Sequence, residues 1–487
     1  MTFPSPPYRL SGNISAGKLD RVILSEAKNL NQVKRLNKEI LRLALPSILA
    51  NLTVPLVGLV DIAVAGHLDT SAAALIGGIS IGSLMFDMMY WNFGFLRAGT
   101  GGLTAQAYGR EDWGACAANL KRGLSAAVLS ALLLILIQWP FQKLMFVFVQ
   151  CSDEVRALAL KYFHIRIWAA PATLSLMALR GWFIGMQDTF SSMLTDIMVN
   201  GMNIVASVLL ALGIPGTSFS GIGFTGIAWG TLIAQYSGIL TASAILLLKY
   251  SAVLRNASTH QVTNVGRSSM REFFSVNGDL FVRSLCLMGV YLAFSAISAR
   301  LGDTRLAMCS IMMKLMMIFS YFTDGFAFAG EALTGRFVGS KDKLAISRTV
   351  KWTFVWSMGI GMFFVAIYAA AGTPMFHLMT SDNTVIQSAK AYLPWLVIMP
   401  LLGCPAFTWD GIYIGATATK DMRDANIGCL IAFFIIWFGG ILISRATGSQ
   451  LSLDAKVHLL FAAYYAHLIY RSAYQTLKYK TAILGRA

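Results

Sequence analysis

Asp61 stands in "VPLVGLVDIAVAGHL" (54–68), a stretch apolar but for this acid and His67. A carboxylate in an apolar setting resists ionisation, so it takes up a proton when enclosed and releases it when its surroundings change. Asn200, Asn203 and Ser207 are spaced three and four apart, which puts them on one helix face. Such a polar face inside a bundle either serves a small cation or ties helices together by hydrogen bonds. Farther on, Asp324 and Glu331 lie seven apart on one face, in a segment that also holds Lys314. Arg283 and Asp410 fall at a similar depth, so a buried charge network is expected, serving either structure or ion coupling. Asp87 is a further acid, with no assigned role. Met312, Met313 and Met316, in "SIMMKLMMIF", are flexible and polarisable; with Arg97 and Arg180 they are candidates for a substrate cavity.

Other chemistries find no support. The six His form no HExxH and no close pair, and the six Cys form no CxxC. No catalytic set, metal site or cofactor is expected, and no enzyme. No GxxxxGK[ST] phosphate loop is present.

These residues need elements to hold them, and the elements are membrane spans. Of the 487 residues, 56% are hydrophobic and 13% charged, and the mean hydropathy is +0.62. Apolar runs long enough to cross a bilayer recur throughout. Twelve are read, at 43–66, 72–105, 118–140, 157–186, 192–213, 222–248, 273–299, 306–338, 350–371, 388–418, 424–444 and 457–477. The net charge of +16 is unevenly placed. With a cytoplasmic N-terminus, Arg42, Lys121, Arg122, Arg255, Arg336, Lys341 and Lys478 all fall inside, while the outer side holds few, such as Lys143, Arg156 and Lys456. That bias puts both termini in the cytoplasm and makes a nucleic-acid partner unnecessary. No signal peptide is read; residues 1–40 are expected to be a polar cytoplasmic tail, mobile or a short surface helix.

The chain also resembles itself at a shift of about 230 residues. "LTAQAYGRED" (103–112) lies over "LTGRFVGSKD" (333–342), and "RGWFIG" (180–185) over "DGIYIG" (410–415). Spans 1–6 and 7–12 are therefore read as two copies of one bundle, an arrangement that places a substrate site near their interface. The expected division is a tail (1–40), an N-lobe (41–250), a cytoplasmic linker (251–271) and a C-lobe with a short C-terminal tail (272–487).

Four stretches resemble the multidrug and toxic compound extrusion (MATE) transporters. They are "LRLALPSILANLTVPLVGLVDIAVAGHLDTSAAALIG" (41–77), "GWFIGMQDT" (181–189), "DGFAFAGEALTGRFVGSKD" (324–342) and "WDGIYIGATATKDMR" (409–423), the last two in the manner of the DinF-like branch. The resemblance covers about 40–480. It implies an all-α polytopic membrane protein of twelve transmembrane helices in two six-helix pseudo-symmetric bundles, set in a V. It implies a secondary exporter driven by H+ or Na+ entry; with the acid at Asp61 the expectation is a multidrug exporter of a bacterial plasma membrane, working as a monomer and moving amphipathic or cationic organic compounds in exchange for inward H+. Asn203 matches the family asparagine that faces Asp61, and Thr231 a threonine of the same network. Ser207 stands where many members carry a second aspartate, which weakens the alternative of Na+ coupling. A lipid-linked saccharide flippase of the wider superfamily is the other alternative, expected to carry more cavity cations than Arg97, Arg180 and Arg283.

Overall fold

The computed structural model describes residues 16–66, 68, 72–214, 216–259, 267–448 and 451–486. The described residues form helices and connecting turns, with no strand among them. In hydrocarbon a helix is the one open-chain structure that satisfies its own backbone, so long apolar runs fold this way. The first half holds α1 (Ala16–Gly66), α2 (Ala72–Trp91), α3 (Phe95–Gly109), α4 (Trp113–Leu136), α5 (Gln138–Phe148), α6 (Asp153–Arg166), α7 (Ala170–Gly185), α8 (Thr189–Leu212) and α9 (Phe224–Lys249). A short helix, α10 (Ser251–Thr259), leads to the second half. That half holds α11 (Arg267–Ala299), α12 (Asp303–Gly339), α13 (Lys343–Met379), α14 (Asn383–Gly415), α15 (Thr419–Ala446) and α16 (Leu453–Ala482).

The repeat is visible in the packing. α3 pairs with α7 as α12 does with α14, α4 with α7 as α13 with α14, and α8 with α9 as α15 with α16. It is visible in single residues too. Among the described residues, four non-glycine residues have left-handed backbone, Glu111, Gln187, Lys341 and Thr417, two pairs each 230 apart. Asp112 and Asp342, also 230 apart, cap α4 and α13 by accepting from Ala115 N (2.8 Å) and Ala345 N (2.9 Å).

The halves meet most closely at the C-terminal ends of α3 and α12. A Cβ at Gly109 would strike the Arg336 carbonyl, and one at Gly339 the Gln106 carbonyl, so each glycine admits its counterpart's backbone. Side chains then cross the seam. Gln106 Nε2 donates to Thr417 Oγ1 (3.0 Å), and Gln187 Nε2 donates to Ala332 O (2.7 Å).

The expected spans are in place, and two other expectations, the tail and the linker, are corrected. Among the described residues eleven helices pass as long and apolar enough to span. The twelfth expected span is present as α16, 30 residues long and less apolar because it carries Arg471, His467 and five Tyr. The spans read at 72–105 and 157–186 are present as Ala74–Gly109 and Asp153–Gly185, each with a 3₁₀ turn inside it, Asn92–Gly94 and Ile167–Ala169. The tail is not free up to residue 40. α1 runs unbroken from Ala16, and Ile40 is fully buried against α12. Trp356 donates to Asn37 Oδ1 (2.8 Å), and Arg336 pairs with Glu39 (3.5 Å). The linker likewise contains α10, packed on α4; residues 260–266 lie outside the described set.

One polar knot secures the turn between α7 and α8. The Asp188 carboxylate caps Ser191 N (3.1 Å) and accepts from Lys249 Nζ and Tyr250 Oη, both 2.6 Å. Burial alone would raise its pKa, but these donors outweigh it and hold the carboxyl below its ordinary value.

Candidate functional site

α1 begins on one half and ends on the other. Up to Ile48 it lies on α12, whose Gly325 leaves room for the Ala44–Ile48 backbone and side chain. Asn51 Nδ2 donates to Tyr321 O on α12 (3.2 Å); two residues later, Thr53 Oγ1 accepts from Asn200 Nδ2 on α8 (2.5 Å). Pro46 and Pro55 bracket this crossing and remove backbone hydrogen bonds there.

Beyond it, Asp61 is 6% exposed and faces Ser207. Its Oδ1 is a buried acceptor with no donor among the described residues. Ser207 Oγ donates to Asn203 Oδ1 (3.3 Å), and Asn203 Nδ2 donates to Thr231 Oγ1 (3.1 Å). All three are buried. The helices α8 and α9 approach closely here because Gly230 offers no side chain against Ser207. The structure thus brings Asp61, Asn203, Ser207 and Thr231 together. It separates Asn200, which is engaged with Thr53 at the crossing.

A cation missing from the sequence reading completes this site. Arg166, at the end of α6, donates to Tyr162 Oη (2.9 Å), lies over the Phe86 ring (4.8 Å to its centre), and interacts electrostatically with both Asp61 and Asp87. Its signal was an arginine inside a span, "HIRIWAAP", with no acid on its own helix face to explain it. An orphaned acid facing a fixed guanidinium and hydroxyls can take and release a proton. It makes a poor fit for a metal cation, which would lie beside a permanent positive charge. No group of three or more His, Cys, Asp or Glu suited to a metal occurs among the described residues.

The second-half charges form two linked groups. Arg97 of α3 pairs with the fully buried Glu331 of α12 (2.9 Å), the ion pair joining the halves at this depth. Arg283 pairs with Asp410, as expected, but Asp410 is shared with Arg471 (3.7 Å), a buried arginine of α16 that the sequence reading passed over. Glu331 therefore belongs to Arg97 rather than Arg283. Asp324 makes no ion pair among the described residues, though Arg97, Asp410, Arg283 and Arg471 all bear on it. The proposed cavity residues scatter. Arg180 is committed to Asp196. Met312, Met313 and Met316 are buried inside the second half, against Leu396, Met399 and Phe461.

The wider comparisons agree with this architecture. The MatE family model matches residues 46–209 and 280–437. The chain is 33% identical to the DNA damage-inducible protein F of Escherichia coli K12 over 389 residues, 80% of this chain and 83% of that protein. It is 23% identical to a probable multidrug resistance protein NorM of Rhizobium meliloti, covering 82% and 83%. Its fold matches a solved outward-facing multidrug resistance MATE family transporter of the MOP superfamily with a TM-score of 0.79, at 16% identity, covering 92% and 96%. The chain is thus a multi-pass membrane transporter and not an enzyme: it belongs to the MatE family, the multidrug and toxic compound extrusion transporters.

Proposed function

We propose that this chain exports amphipathic organic compounds through a bacterial plasma membrane in exchange for inward protons, as a monomer with both termini in the cytoplasm. The observation that supports proton coupling is the buried, donor-free Oδ1 of Asp61 beside the Arg166 charge. Protonation neutralises the carboxylate and leaves Arg166 to its other acid, Asp87. Na+ would instead need several oxygen ligands around a centre that already faces a guanidinium. With Ser207 in place of a second acid, the site offers it one carboxylate. The units that move in this reading are an N-lobe (41–250) and a C-lobe (272–487), rocking about the α3–α12 seam.

Proteoliposomes loaded with a fluorescent amphipathic dye test it. An imposed proton gradient without Na+ should drive dye against its own gradient. Transport sustained by Na+ alone with a protonophore present would overturn proton coupling and favour the Na+ reading.

A further inference from the structure

Two opposite charges in the spans make no direct polar contact among the described residues. Asp87 on α2 and Lys314 on α12 are both exposed, and neither makes an ion pair or hydrogen bond among the described residues. Charged groups at membrane depth are costly unless they line a wet cavity or pair. They belong to different halves, and their charges act on one another across the space between. Aromatic groups border the same space. Trp91, one turn from Asp87, is 42% exposed and lies 5.9 Å, ring to ring, from Tyr291 of α11, which is 37% exposed. Asp87 also acts electrostatically on Tyr291 and on Tyr321 of α12. Asn92 touches Met288 of α11 just beyond Trp91. The cleft between the halves thus has an acid and an indole on one wall, and a phenol and a free ammonium on the other.

We propose that this cleft, at Asp87, Trp91, Tyr291 and Lys314, is the substrate site, and that it takes aromatic zwitterions: an apolar ring system carrying both a cationic amine and a carboxylate. Asp87 receives the amine, with Trp91 and Tyr291 on its flanks, since cations bind favourably over such rings. Lys314 receives the carboxylate and disfavours a ligand that is only cationic. Arg166 does not satisfy Asp87 in this role, because it is shared with Asp61. The proposal rests on the export reading above and narrows its substrate.

A rhodamine free acid, which is zwitterionic, and its methyl ester, which is cationic, differ only in the charge that Lys314 would read. Binding of each to the purified protein in detergent, without any gradient, separates the site from the transport cycle. Wild type should bind the acid about tenfold more tightly than the ester. Lys314→Gln should reverse that preference, about tenfold weaker for the acid and stronger for the ester. Asp87→Asn should weaken both by at least tenfold. Monodisperse elution and an unchanged melting temperature check that each variant is folded. If wild type binds neither dye, or prefers the ester, the proposal fails. It also fails if both variants change transport of every dye equally while the acid-to-ester preference stays, because Asp87 and Lys314 would then be a latch between the halves. If binding behaves as stated but no gradient drives uphill export, the site stands and the export reading falls.

Discussion

Asp61→Asn is nearly isosteric, removing the charge and the titration and little else. It should leave the melting temperature close to wild type and abolish proton-driven export; uphill transport by this variant in vesicles would make Asp61 structural. Arg166→Gln tests the second member of the site. It removes the fixed charge shared by Asp61 and Asp87, so the pH profile of export should move. An unmoved profile would show that Arg166 serves only packing. At the second-half network the sharing of Asp410 reorders stability. Arg283→Ala leaves Asp410 with Arg471, Asp410→Ala leaves two arginines without their acid, and the double variant leaves Arg471 alone. The loss should be least for Arg283→Ala, intermediate for the double and greatest for Asp410→Ala, where an uncompensated buried charge costs about 3–5 kcal/mol. Thermal unfolding of the three variants gives the order. Asp61 and the face of Asn203 and Ser207 were legible in the sequence because their signal is local, an acid in an apolar run and a three-four spacing. Arg166 and Arg471 were not, because an arginine's partner is set by which helices pack together, and neither has its acid on its own helix.

At the scale of elements, α1 is the unusual member. It is one helix from Ala16 to Gly66, docked on the second half at Ile40 and Glu39 and contributing Asp61 to the first. The polar, charged composition of residues 1–40 reads as tail, yet the same residues carry Leu36 and Ile40 at the spacing that buries one face. Charge on the remaining faces masked that stripe. α16 shows the converse. Its tyrosines, His467 and Arg471 lower its hydropathy, but Tyr464, Tyr465, His467 and Arg471 are buried in the bundle, where Tyr465 donates to Trp395 O and Arg471 meets Asp410. The α7–α8 turn carries its own prediction. Asp188→Ala removes a helix cap and leaves Tyr250 without its acceptor, so it should destabilise by about 2–3 kcal/mol. Because the folded carboxyl titrates below its ordinary value, its contribution is complete above pH about 4 and is lost as pH falls through the folded pKa. The difference in melting temperature between wild type and Asp188→Ala should therefore shrink in acid and stay constant from neutral pH upward. A gap that widens in acid would contradict this.

The whole molecule is two copies of one design. The repeat was legible because its turns had to be kept: Glu111 with Lys341 and Gln187 with Thr417 hold the same left-handed backbone 230 residues apart. The seam between the copies was less so. Glycines such as Gly109 and Gly339 are silent in a hydropathy reading and are explained only when the opposite carbonyl is seen against them. The proposed cycle couples the two halves to one residue: a substrate enters between the halves as a proton leaves Asp61. The direct measurement is proton release when a zwitterionic dye is added to the purified protein in unbuffered detergent across the neutral range. Wild type should release up to one proton per dye bound, and Asp61→Asn should bind the dye and release none. Dye binding by wild type without proton release, or equal release from Asp61→Asn, would contradict the account.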